Sequence, residues 1–384
     1  MSKGSFLYVG GFQLPDKNAA AHRVVTVAKM LNMLGYEVIF LDVDADRQEE
    51  RLSDAHMEAG YQTYSQRRPI GTKDWANYVL NPLHVEEVLD QQTDWVGVIA
   101  YNYPAMALFK LRKICKKRGI KLFADCTEWY QSKITFSLRN IALSLDSFFR
   151  MRFVHKKLDG LIAISSYLGK YYQKHVPVVL IPPLVDKENP KWNRDGIVRD
   201  ASELRLCYAG SPGKTKDKLD SIIHAVCRSK NDKIRLTIVG ITKEEYITYY
   251  PEDRELLGSL SASDRIVFKG RIPHLQAIEI VKNSDYTVFY REITRVSMAG
   301  FPTKFVESIS CKVPVITNQT SDLKEYVSET KNGYMLSTEL FEQELEELFD
   351  ILISQSEHEK IVEENIFDYR RYVDTFRQWI STCR

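Results

Sequence analysis

Short apolar runs and longer amphipathic stretches take turns along this chain. In its first half "FLYVG", "EVIFLD", "VGVIAY", "KLFAD", "GLIAI" and "VVLIP" are too short and too evenly apolar for surface helices, and they read as buried strands. Helical stretches separate them, which predicts a parallel sheet covered on both faces. The pattern breaks from Pro182 to Glu203, "PPLVDKENPKWNRDGIVRDASE", a stretch rich in proline, charge and amides. Beyond it the rhythm restarts with "LRLCYAG", "IRLTIVG", "RIVFKG", "DYTVFY", "PVIT" and "GYML". Two α/β domains are therefore expected, 1–185 and 204–365, joined by a linker over 186–203. In the tail, "FDYRRYVDTFRQWI" repeats Phe367, Tyr372, Phe376 and Trp379 at roughly helical spacing. It predicts a final helix, within 366–384, that crosses back to the first domain.

Composition narrows the classes. The 384 residues suffice for about two to three domains, and 44% hydrophobic content is that of a globular protein. A net charge of +2 gives no sign of a nucleic-acid binder. Six scattered cysteines without a CxxC pair argue against disulfides and zinc, and no histidine pair has metal-ligand spacing. "MSKGSFLYVGG" lacks the succession of a secretory signal, and no apolar run is long enough to span a bilayer. A cytoplasmic protein without a metal or cofactor is expected.

Two glycine-rich turns follow strands. Gly10 and Gly11 precede a helix expected to begin near Asn18, an arrangement that lets a ligand approach backbone N–H groups, or simply a tight turn. It is not GxGxxG, so Asp42 at the end of the second strand is only weakly a ribose-binding acid for a nicotinamide or flavin cofactor. In "YAGSPGKTKDKLDSIIHA" the strand ends at Gly210, and Lys214, Lys216 and Lys218 stand before a helix N-terminus whose partial charge they oppose. A bound diphosphate would resolve that conflict; a solvated lysine cluster is the alternative. In "AGFPTKFVESISCKVPVI" a loop, Gly300 to Thr303, opens a helix, with Arg291 and Lys304 nearby in sequence. Glu307 inside that helix could accept from two ribose hydroxyls, or pair with Lys304 at i, i+3.

These segments together resemble the retaining glycosyltransferases of family four, with the GT-B fold of two Rossmann-like domains whose parallel sheets face a cleft. The resemblance covers nearly the whole chain, including "GLIAISSYLGKYY" and "VLIPPLVD". It implies a nucleotide-sugar in the second domain, a UDP-sugar favoured, and an acceptor in the first. Lys216 matches the family's lysine after the first strand of the second domain, and Glu307 the second of two glutamates, which binds ribose. The first falls at Ala299, where the carboxylate that contacts the donor sugar is missing. Gly300, Phe301, Pro302, Thr303 and Lys304 resemble the segment that wraps the diphosphate, with Arg271 and Arg291 as further cations. In "LFADCTEWYQ" the family's acceptor-side histidine is absent; Asp125 and Glu128 are the substitutes, and Trp129 and Tyr130 either stack on a sugar or pack in the core.

One stretch stands outside that reading. "KITFSLRNIALSLDSFFRMRFVHKK", 133–157, mixes phenylalanines and aliphatic residues with cations, and Asp146 is its one acid. It suits a helix lying on an anionic membrane surface, or a core helix with snorkelling cations. "KLRKICKKRGIK" is a second basic run in the same domain. The expected function is metal-independent sugar transfer, with retained configuration, to a saccharide or lipid-linked acceptor in surface polysaccharide synthesis, peripheral at the inner face of the cell membrane. A degenerate scaffold subunit and a nucleotide-sugar epimerase are the alternatives.

Overall fold

Each apolar run of the first half forms a strand. The computed structural model describes residues 2–129, 138–194, 202–213, 216–329, 331–354 and 365–383. In the first half β1 (Ser5–Val9), β2 (Glu37–Asp44), β3 (His56–Glu58), β4 (Tyr61–Arg67), β5 (Trp95–Tyr101), β6 (Lys121–Cys126), β7 (Gly160–Ala163) and β8 (Val178–Leu180) make one sheet. Its order is β3-β4-β2-β1-β5-β6-β7-β8, parallel throughout except for the β3–β4 pair. Every residue of β1 is buried, so both faces of the sheet centre are covered. In the second half β9 (Leu204–Ala209), β10 (Ile234–Val239), β11 (Ile266–Gly270), β12 (Tyr286–Phe289), β13 (Val315–Asn318) and β14 (Gly333–Leu336) form an all-parallel sheet in the order β11-β10-β9-β12-β13-β14.

The chain divides into two compact units. The first comprises Met1–Asp186, Ala299–Phe301 and Phe367–Arg384, and the second Lys187–Met298 and Pro302–Ile366. The stretch 186–203 differs from a plain linker. Trp192 is buried, and the Arg194 guanidinium donates to the carbonyls of Lys282 (2.9 Å), Ser284 (3.0 Å) and Lys312 (3.1 Å), which fastens residues 187–194 to the second unit.

The final helix, Val373–Thr382, belongs to the first unit. Val373, Phe376, Trp379 and Ile380 enter the core that also holds Phe6, Phe123 and Ile162. The Trp379 ring meets Phe123 edge-on at 5.2 Å, and its Nε1 donates to the Pro177 carbonyl at 3.2 Å. Gly160 opens β7 beneath it, and a Cβ there would come within 2.9 Å of both the tryptophan ring and Cys383 Sγ. Trp379→Ala is expected to destabilise the first unit by about 3–5 kcal/mol, the usual cost of emptying a buried aromatic site. Urea unfolding followed by circular dichroism checks this; an unshifted midpoint would mean the helix is not part of that core.

Candidate functional site

In both sheets the strand order reverses beside the first strand, at β1/β5 and at β9/β12, and ligands of open α/β sheets bind outside the strand ends at such points. In the second unit that position is strongly charged. Asp217, in the loop after β9, is 0% exposed and accepts from Tyr208 Oη at 2.5 Å, from Arg291 Nε at 2.8 Å and from Lys304 Nζ. Tyr208 comes from β9, Arg291 follows β12, and Lys304 lies in the first turn of the helix Thr303–Ser310. Burial alone would raise the Asp217 pKa, but Lys304 and Arg291 hold it well below the ordinary carboxylate range. Burial also pushes Lys304 down to about 8, against the pull of Asp217. The lysine head sits 3.9 Å from the centre of the Tyr208 ring, a cation–π contact. Gly210 makes this possible: at φ +144° it ends β9 with no side chain, and a Cβ would come within 3.2–3.3 Å of Lys304 Cε and Nζ.

Around this cluster lie the other second-unit candidates. Lys216 is exposed on the same loop, whereas Lys218 pairs with Glu292 at 2.8 Å; Lys214 lies outside the described residues. Glu307, about one helical turn on from Lys304, keeps 27% side-chain exposure and faces His274 Nε2 at 3.4 Å. Its partner is thus a histidine at the start of the helix His274–Lys282. Arg271 is spent on Glu245, 2.7 Å away on the surface. Pro302 is buried and caps the helix Thr303–Ser310, and Thr303 is half-buried in its first turn.

The first unit corrects several expectations. Asp125 is 0% exposed: it accepts from Tyr8 Oη at 2.5 Å and from both Nε and Nη2 of Arg23. With its oxygens engaged by a buried guanidinium it is a structural anion, not a base open to a substrate hydroxyl. Asp42 accepts from the backbone N–H groups of Phe12, Gln13 and Leu14 at 2.8–3.0 Å and so fixes the loop after β1, where a ribose acid would have to keep its oxygens free. Gly10 is needed for packing, since a Cβ would stand 3.1 Å from the Tyr101 carbonyl oxygen, and Gly11 is exposed. Trp129 is a core residue, edge-on to Tyr171 at 5.0 Å; Tyr130 lies outside the described residues. Glu128 remains half-buried at the end of β6, within 3.3 Å of Asn102 Nδ2. Ala299, Gly300 and Phe301 cluster with this unit: the Ala299 carbonyl accepts from Ser165 Oγ at 2.7 Å, and the buried Phe301 ring lies 5.9 Å from Phe367.

Residues 194–368 match the family model of the glycosyl transferases group 1. No sequence among curated proteins matches the chain. Among solved structures it is similar to sucrose-phosphate synthase from Thermosynechococcus elongatus, at 13% identity over 98% of each chain with a TM-score of 0.69. It is similar to a glycosyltransferase from Rickettsia africae, at 14% identity over 100% of this chain and 99% of that one, TM-score 0.71. It is also similar to HepE of Anabaena in complex with UDP and glucose, at 15% identity over 99% and 100%, TM-score 0.63. The fold is GT-B.

In the GT-B second unit the group 1 match therefore contains Gly210, Lys216, Arg291, Lys304 and Glu307, while Gly10, Gly11, Asp125 and Glu128 lie in the other unit. Sequence reasoning passed over Asp217, Tyr208 and His274. The first sits between two lysines and looks like one charge in a run, yet its neighbours in space are an arginine and a lysine 74 and 87 positions further on. A lone acid inside a lysine cluster is a usable signal: it marks where cations must be held together.

Proposed function

We propose that the protein transfers a sugar from a nucleotide-sugar to a saccharide acceptor, as a retaining, metal-independent glycosyltransferase. The observation that carries this reading is the pair of cations, Arg291 buried and Lys304 about 10% exposed, oriented on one carboxylate beside the side-chain-free end of β9. A guanidinium has five N–H donors and an ammonium three, so each keeps donors beyond those given to Asp217. Two such groups, with the exposed Lys216 next to Asp217 in the same loop, suit a diphosphate. The likeness to a protein solved with UDP and glucose favours a UDP-sugar donor.

In the proposed reaction an acceptor hydroxyl oxygen bonds to the anomeric carbon as the bond from that carbon to the diphosphate oxygen breaks. The electron pair leaves with the nucleoside diphosphate, and the hydroxyl proton ends on a base; Glu128 is the proposed acceptor-side carboxylate. Charge growing on the leaving phosphate meets Lys304, Arg291 and Lys216 already in place, and one preorganised donor of this kind is worth about 3–4 kcal/mol. Glu307 takes the ribose hydroxyls, with His274 steadying its carboxylate in their absence.

Calorimetric titration of UDP, GDP and ADP tests the donor site. One nucleotide should bind saturably, and Glu307→Ala should weaken it about 10- to 100-fold, the worth of hydrogen bonds to a charged group. Equal affinity in the variant would return Glu307 to a helix-surface role. Failure of all three nucleotides would favour a scaffold, a reading to which the buried alanine at position 299 already lends support.

A further inference from the structure

The helix Leu138–Phe149 is turned inside out. Asn140, Ser144 and Ser147, spaced as one face, are with Asp146 its less exposed residues, and none is without a partner. Ile141, Leu145, Phe148 and Phe149, spaced as the opposite face, are 41–52% exposed. A helix that hides serine and shows phenylalanine to solvent contradicts the ordinary rule for a soluble surface. Phe153 continues the stripe, and the rings of Phe148, Phe149 and Phe153 lie 5.5–5.9 Å from one another.

A second helix, Ala105–Arg118, meets the end of the first and the turns that continue it. Asp146 Oδ1 accepts from Ala105 N at 2.7 Å, and Arg112 Nε donates to the Lys157 carbonyl at 2.6 Å. On this helix Met106, Phe109 and Lys113, at i, i+3 and i+7, are exposed, and it contains no acid. Asp146 aside, the charged residues of the two segments are all cations. Lys113 lies over the Phe109 ring at 4.7 Å and Arg152 over Phe148 at 4.5 Å, while Lys116, Lys117 and Lys157 are exposed nearby in sequence. Asp146, the one acid of the two segments, is engaged by Ala105 N and lies 4.0 Å from Arg150.

We propose that this face of the first unit docks on an anionic lipid bilayer, the three phenylalanines entering the acyl boundary and the cations meeting the headgroups. Paired apolar and cationic signals are what reversible membrane attachment requires. A second copy of the chain would bring cations against cations, so charge complementarity selects the bilayer. The surface is independent of the nucleotide site, and its test does not involve that site.

The test is co-sedimentation with vesicles of phosphatidylglycerol and phosphatidylcholine, against vesicles of phosphatidylcholine alone, at low and high salt. Binding to the anionic vesicles alone, weakened by salt, is expected. Lys113→Gln with Lys117→Gln should weaken it about fivefold per cation removed. Phe148→Ser with Phe149→Ser should weaken it about tenfold or more, with the unfolding midpoint retained. Phe149→Trp supplies a probe that keeps the surface apolar, and its emission should shift to the blue on anionic vesicles. Binding equal on both vesicle types, or no emission shift, would overturn the proposal. So would self-association in sedimentation velocity that the paired serine variant abolishes, because the face would then be a contact between copies.

Discussion

Replacing Asp217 by asparagine is expected to destabilise the second unit by about 3–5 kcal/mol, the cost of removing one partner from a buried ionic group. Two cations, Arg291 and Lys304, would then share a buried site with no anion, and the Tyr208 hydroxyl would lose its charged acceptor. The effect depends on pH in a defined direction. Because the Asp217 pKa lies below its unfolded value, its contribution is present above the ordinary aspartate range and is lost as pH falls through the lower, folded value. Wild type and Asp217→Asn should therefore differ strongly in urea at neutral pH and converge in strong acid. In the nucleotide titration the variant should also bind weakly at a temperature where it stays folded, since its cations are no longer oriented. A variant as stable as wild type would show that the cations are held by other means.

The second large effect concerns Lys304. Its folded pKa of about 8 lies below the ordinary lysine value of about 10.5, so protonation works against folding: stability gains as pH rises from the lower value to the higher. Anion binding responds in the opposite direction. Nucleotide affinity should fall as pH rises above about 8, approaching tenfold per unit once the free protein holds a neutral lysine. Lys304→Arg keeps its charge throughout and should bind with a flat profile over the same range, even where its bulk lowers absolute affinity. Parallel slopes in the two proteins would detach Lys304 from the diphosphate.

The strands were legible because buried parallel strands are continuous apolar runs, and all six of the second sheet carry one. β4 was not. Its sequence, "YQTYSQR", is polar between its tyrosines, yet Thr63, Ser65 and Gln66 are buried beside β2. Parallel pairing with a strongly apolar neighbour, and a bond such as Ser65 N to Ser53 Oγ at 2.8 Å, carry residues inward that no hydrophobic count selects. The same limit governs the sites. Lys216 and Glu307 entered as candidates through local segments that resemble the family's, one in the loop after β9 and one in the helix Thr303–Ser310. Asp125 looked like a strand-end acid open to ligand; that it is sealed by Arg23, 102 positions away, is a fact of tertiary packing. Charge at a strand end is visible in sequence, but its ion-pair partner is not.

The composition of the first unit bears on the order in which the chain matures during synthesis. Its core is incomplete until Val373, Phe376 and Trp379 have been made, whereas nearly all of the second unit, through Ile366, precedes them. Domains ordinarily fold from the N-terminus as they leave the ribosome. Here the half begun first is finished last, and β6 and β7 must wait, with Phe123 and Gly160 uncovered, while the whole second sheet is translated. Phe123 and its neighbours are then the surface a ribosome-bound chaperone would meet for longest.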